Sequence, residues 1–250
     1  MNEFYVGYLA QSPPGIRRRV RILVATIFVL SLAGAILFAA SQKHFASSTF
    51  EFGKIKEFHG SLQQTPYPIL IATDDPVGSV AAPTPYLLVA PGKHGAGSIL
   101  QSLLGQPIRL NGTLISRSEG HMIEIVPDSL IVEARAIPSL SDVQDIGERD
   151  LSGEIVDTKC FLGVMNPGEG KVHRECAALC LRGGIPPALF TRDLNGSPKI
   201  LLLTDSSGGP LPQSAYLQRV GQPVRIHGRA VQSSGLYYLR SDADHIFALP

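Results

Sequence analysis

Three cysteines and a histidine crowd into one short stretch of this 250-residue chain. It reads Asp157-Thr-Lys-Cys160-Phe-Leu-Gly-Val-Met-Asn-Pro-Gly-Glu-Gly-Lys-Val-His173-Arg-Glu-Cys176-Ala-Ala-Leu-Cys180-Leu-Arg-Gly-Gly184-Ile-Pro-Pro, and it holds every cysteine in the sequence. Asn166–Gly170 has turn composition. The residues from His173 to Arg182 predict a helix, stopped by Gly183-Gly184 and Pro186. On that helix His173, Cys176 and Cys180 stand at i, i+3 and i+7, within about 60° of one another on one face. Cys160, at the end of the preceding strand, can fold back over that face. Three thiols and one imidazole then converge, the donor set of a four-coordinate soft-metal site.

Cys160, His173, Cys176 and Cys180 are therefore the candidate metal ligands. Zinc and copper both accept such donors, and Met165 is a possible extra soft ligand for copper. A [2Fe–2S] cluster on three Cys and one His is chemically possible, but the spacing matches neither ferredoxin nor Rieske patterns. Haem attachment through a C-x-x-C-H motif is excluded, because no such string occurs. Two other readings remain open. Outside the cytoplasm Cys160 could pair with Cys176 or Cys180 in a disulfide, leaving one thiol over. Cys176 and Cys180 could instead cycle as redox thiols, although such enzymes normally use C-x-x-C at a helix N-terminus.

The pattern Cys160…Gly168-x-Gly170-x-x-His173-x-x-Cys176-x-x-x-Cys180-x-x-Gly183-Gly184-Ile185-Pro186 resembles a segment of uncharacterised bacterial exported or membrane-anchored proteins. The likeness spans about 30 residues. It implies bacterial origin and export, and it implies no reaction.

The elements that must position this segment come from a repeat. Gly105-Gln-Pro-Ile-Arg-Leu-Asn-Gly112 matches Gly221-Gln-Pro-Val-Arg-Ile-His-Gly228, with apolar alternation continuing beyond each. Upstream, Gly60-Ser-Leu resembles Gly153-Glu-Ile, Thr65-Pro-Tyr-Pro68 resembles Gly184-Ile-Pro-Pro187, and Tyr86-Leu-Leu-Val89 resembles Ile200-Leu-Leu-Leu203. Each copy orders as three strands, a short helix (Ile99–Leu104 or Ser214–Val220) and two more strands. That order resembles the OB-fold, a small Greek-key barrel. The expected architecture is mainly β: two tandem OB-like barrels, residues 48–138 and 150–250. Between its first two strands the second copy carries about 26 additional residues, and these contain the cysteines.

Ile22 to Ala40 is an apolar run without charge. As a helix it rises roughly 28 Å, close to a ~30 Å hydrocarbon core. Arg17, Arg18, Arg19 and Arg21 precede it, and only Lys43 and His44 follow closely. The positive-inside rule places residues 1–21, with the interfacial candidates Tyr5 and Tyr8, in the cytoplasm as a short tail. The C-terminal bulk is then periplasmic, on the far side of a bacterial inner membrane. The run exceeds the usual length of a signal-peptide apolar region, and Phe38-Ala39-Ala40 is a poor cleavage site.

A formal charge of +1 provides no basic field for nucleic acid. Tryptophan is absent, and 25 Gly with 19 Pro suit a turn-rich β-protein. Glu119, Glu124 and Asp128 make no evident acid/base pair. Gly92-Lys-His-Gly-Ala-Gly97-Ser98 lacks Walker spacing and reads as a hairpin loop. His94, His59 and His121 read as solvated or capping residues. Leu236-Tyr237-Tyr238-Leu239 reads as barrel packing. The sequence thus points to a single-pass membrane protein with a Cys/His metal site. Its expected role is a non-enzymatic accessory to a membrane or periplasmic protein complex, possible electron transfer included. A thiol or metal-centred oxidoreductase, or a structural protein with a disulfide, is the alternative.

Overall fold

The computed structural model describes residues 11–42, 47–63, 66–72, 83–103, 105–134, 143–194 and 196–249. Tyr5, Tyr8, Lys43, His44, Thr65, Leu104 and the expected barrel boundary at 138 lie outside them. The chain divides into two units, Met1–Phe45 and Ala46–Pro250.

Among the described residues the first unit holds one helix, α1 (Pro14–Ser41), with Pro14 at a position where a missing N–H is harmless. It is long and apolar enough to cross a membrane, as a membrane anchor or signal sequence is. The helix begins before the apolar run, so Arg17–Arg21 form part of its first turns.

The second unit is two closed five-stranded barrels in tandem. The first comprises β1 (Ser48–Gln63), β2 (Ile69–Ala72), β3 (Thr84–Val89), α2 (Gly97–Leu100), β4 (Pro107–Arg117) and β5 (Gly120–Ile125), with β6 (Ile131–Val132) added beside β4. The second repeats this as β7 (Val143–Asp157), β8 (Pro187–Thr191), β9 (Lys199–Thr204), α4 (Gln213–Tyr216), β10 (Pro223–Ser233) and β11 (Leu236–Arg240), with β12 (Ile246–Ala248) beside β10. α3 (Arg174–Arg182) belongs to the insertion between β7 and β8. In each barrel the long first strand pairs with both the second and the fourth. The third and fifth run parallel, and every other pair is antiparallel. This is the OB-like Greek-key order expected from the repeat.

The matched glycines have a shared steric reason. A Cβ at Gly60 would sit 2.4 Å from the Ile71 carbonyl oxygen, and one at Gly153 2.2 Å from that of Phe190. At both points the first strand bends tightly against the second, as closing so small a barrel demands.

Three apolar cores result. Leu70, Ala72, Tyr86 and Leu88 fill the first barrel, with Phe58 and Leu110. Leu201, Leu203, Val224 and Leu239 fill the second. The alternate residues Ile69, Ile71, Leu87 and Val89 point the other way, as do Ala188, Ile200 and Leu202. They form a third core between the barrels, and the insertion supplies its centre: Cys160, Phe161, Leu162, Cys180 and Ile185. Strands buried on both faces read as continuous apolar runs, which is why ILIA and ILLL show no alternation.

Polar anchors reinforce this seam. The Lys159 ammonium, from the second copy, donates to the carbonyls of Ala90 (2.9 Å) and Gly92 (2.6 Å) and pairs with Glu124 (2.5 Å). From the other side Arg117 donates to the Phe161 carbonyl and lies 3.9 Å above the Phe161 ring centroid. The Tyr67 hydroxyl donates to the Leu203 carbonyl.

Candidate metal centre

The insertion opens as β7 ends. Asp157 Oδ1 accepts the Cys160 N–H at 2.8 Å, and Thr158 Oγ1 donates to the Pro186 carbonyl. These bonds turn the chain inward, so that Cys160 is 3 % exposed and its thiol faces α3. A single turn over Cys160–Val164 and a surface bend lead to a 3-10 turn, Lys171–His173, and then α3.

Glu175 and Arg182 complement the α3 dipole at its two ends. The helix closes in a Schellman arrangement. The Ile185 N–H reaches the Cys180 carbonyl, the Gly184 N–H reaches that of Leu181, and Gly184 takes φ +91°. Cys176 and Cys180, one turn apart, share the face turned toward Cys160. The three sulfurs lie within 4.8 Å of one another. Cys160 and Cys180 are 3.9 Å apart and buried, and Cys176 is half-buried.

His173 departs from the expected face. It is the N-cap residue rather than a helical one, and its side chain is buried against Asp157, with Nε2 3.1 Å from Oδ2. An ionised carboxylate only accepts, so Nε2 carries the proton of that bond. Asp157, Cys160 and His173 form a second group with donor atoms within 4.8 Å. The four expected ligands thus fall into two overlapping triads, with Cys160 common to both. Both triads have donor sets able to hold a metal ion. Met165 is exposed.

Two residues outside the expected set reach the site. Asp157 opens the segment in sequence but carries no spacing signal. Lys93 comes from the Gly92–Gly97 loop of the first barrel. Its ammonium donates to Cys176 Sγ at 2.8 Å and stands 3.7 Å from Cys180 Sγ. The glycines make this approach possible. The Gly95 N–H donates to the Gly183 carbonyl, and a Cβ on Gly183 would sit 1.7 Å from the Lys93 carbonyl oxygen. This loop, expected as an ordinary hairpin connection, is a clamp over the C-terminal end of α3.

The thiols are electrostatically unequal. The hydrogen bond that Cys160 shares with Cys180, together with burial, pushes the Cys160 pKa far up. The same hydrogen bond, helped by the Lys93 ammonium, holds Cys180 below the ordinary thiol range. Hydrogen bonding to Cys176 raises Lys93 in turn. A buried thiolate stabilised by a neighbouring S–H and an ammonium is a ready metal donor. Elsewhere, His59 pairs with Glu57 and Glu133, and His94 lies on an exposed loop. Comparisons with protein-family models, with curated proteins and with solved structures find no match to this chain.

Proposed function

We propose that this chain is a membrane-anchored accessory protein whose paired barrels hold a metal ion at Cys160, Cys176 and Cys180, on the extracytoplasmic side of a bacterial inner membrane. One observation carries the reading: three thiols from two segments of the insertion converge beneath an ammonium supplied by the other barrel. A metal on three thiolates suits zinc or copper(I). Lys93 offsets part of the anionic charge and orients the Cys176 sulfur, as outer-shell donors do. His173 with Asp157 braces the Cys160 side. A sheltered site of this kind fits a carrier or electron-transfer partner in a membrane or periplasmic complex. The arginines at the start of α1 support the orientation.

Elemental analysis with thiol counting on the full chain, detergent-purified without reductant, tests this. At least about one metal per chain is expected, with thiols masked until a chelator is added. Metal-free protein with a single reactive thiol would replace the metal site with a disulfide. A reporter fused to the C-terminus that is active only in the cytoplasm would overturn the orientation.

A further inference from the structure

The two donor triads share one atom, the sulfur of Cys160. We infer that the site is binuclear: one ion on Cys160, Cys176 and Cys180, a second on Asp157, Cys160 and His173, with the Cys160 thiolate bridging them. This deepens the metal reading above and rests on it.

Geometry supports both halves. Metal–sulfur bonds of about 2.3 Å in a plane put sulfurs about 3.9–4.0 Å apart, and Cys160 and Cys180 stand at 3.9 Å. Bonds of about 2.0–2.1 Å to nitrogen and oxygen at tetrahedral angles put those atoms about 3.3–3.4 Å apart, and Nε2 and Oδ2 stand at 3.1 Å. An ion between them takes the place of the Nε2 proton, and the imidazole keeps its proton on Nδ1.

Charge points the same way. Asp157 is 0 % and His173 3 % exposed. Among the described residues Asp157 forms no ion pair with Lys or Arg, and His173 is its partner. A buried carboxylate is costly unless it is paired or bound to a metal. Once the three thiols have given up their protons, three thiolates and one carboxylate carry four negative charges against the one ammonium of Lys93, an excess that a single divalent ion does not balance. The second donor set, oxygen, nitrogen and sulfur, suits a borderline ion such as zinc better than copper(I).

The test is zinc stoichiometry on the full chain, reduced, loaded with zinc under anaerobic conditions and desalted. Two zinc ions per chain are expected for the wild type. One is expected for the double variant Asp157→Asn/His173→Gln and for the double variant Cys176→Ser/Cys180→Ser. Thermal melting of the metal-free variants checks that each is folded. Cobalt(II) gives a folding-independent check, because two thiolate-bridged cobalt ions couple magnetically and a lone ion does not. A wild type that saturates at one zinc, insensitive to Asp157→Asn/His173→Gln, would overturn the bridged pair and leave the three-thiolate site standing. A wild type that binds none would overturn both.

Discussion

Replacing Lys159 with methionine probes what holds the two barrels around the site. The Lys159 side chain is 3 % exposed, and its ammonium has three partners, all on the first barrel: Glu124 and the carbonyls of Ala90 and Gly92. Methionine fills much the same volume but offers no donor. Removing one partner of a buried ion pair costs about 3–5 kcal/mol, because the other charge stays behind unpaired. Glu124 keeps a fifth of its side-chain surface exposed, so water recovers part of that loss. The lower end, about 3 kcal/mol, is the expected value. In a folded unit of this size it lowers the melting temperature by roughly 6–12 °C. Adding Glu124→Gln removes the stranded charge and is expected to restore about 1–2 kcal/mol, a coupling that additive effects cannot produce. Calorimetry of the full chain, the two single variants Lys159→Met and Glu124→Gln, and the double variant reads both numbers, and hydrogen exchange reports on the loop that carries Lys93. A Lys159→Met chain melting within about 2 °C of wild type, or a double variant no more stable than the single, would refute the account of Lys159 as the tie between insertion and loop.

Glu154→Gln is expected to stabilise the protein near neutral pH. Burial raises the Glu154 carboxyl pKa, so its contribution is fully present below the unfolded value and is lost as pH rises through the folded one. Glutamine keeps the acceptor for the Gly170 N–H, and its advantage should vanish below about pH 4 in a melting series. Gly183→Ala should cost more than about 2 kcal/mol through its clash with the Lys93 carbonyl. Gly97→Ala, whose Cβ meets nothing within 4 Å, should stay within about 0.5 kcal/mol of wild type by the same melts. Zinc affinity should rise with pH, because the proton on Cys160 must leave before the metal binds. In the metal-free chain, ultraviolet thiolate absorbance should show Cys180 ionising below the ordinary thiol range, and Cys160→Ala, which removes the sulfur it bonds to, should move that step upward.

How much of the site was legible depended on how far apart its parts lie in sequence. Helical period alone puts Cys176 and Cys180 on one face, and the preceding strand brings in Cys160. His173 differs from the helical reading by a single position. At the N-cap rather than inside α3, its side chain leaves the cysteine face and meets Asp157. Helix termini are the least determined part of any helical reading, because the last turn can be 3-10 or α at little cost. Lys93 gave no signal. It lies 83 residues before Cys176, in a glycine-rich loop whose composition is that of any hairpin connection.

The local and repeated features are legible along the chain: an apolar run long enough to cross a membrane, the five-strand order of each barrel, and the insertion that gathers the thiols. These follow from periodicity, turn chemistry and internal matching, which are properties of neighbours in the chain. Tertiary structure decided what depends on two distant surfaces meeting. It turned the second face of ILIA and ILLL into a core between the barrels, centred the insertion there, and brought the Lys93 ammonium over thiols from the other repeat. It also divided one expected ligand set into two triads that share Cys160. Contacts of that kind are chosen by packing and charge pairing across the whole unit, and no spacing along the chain encodes them.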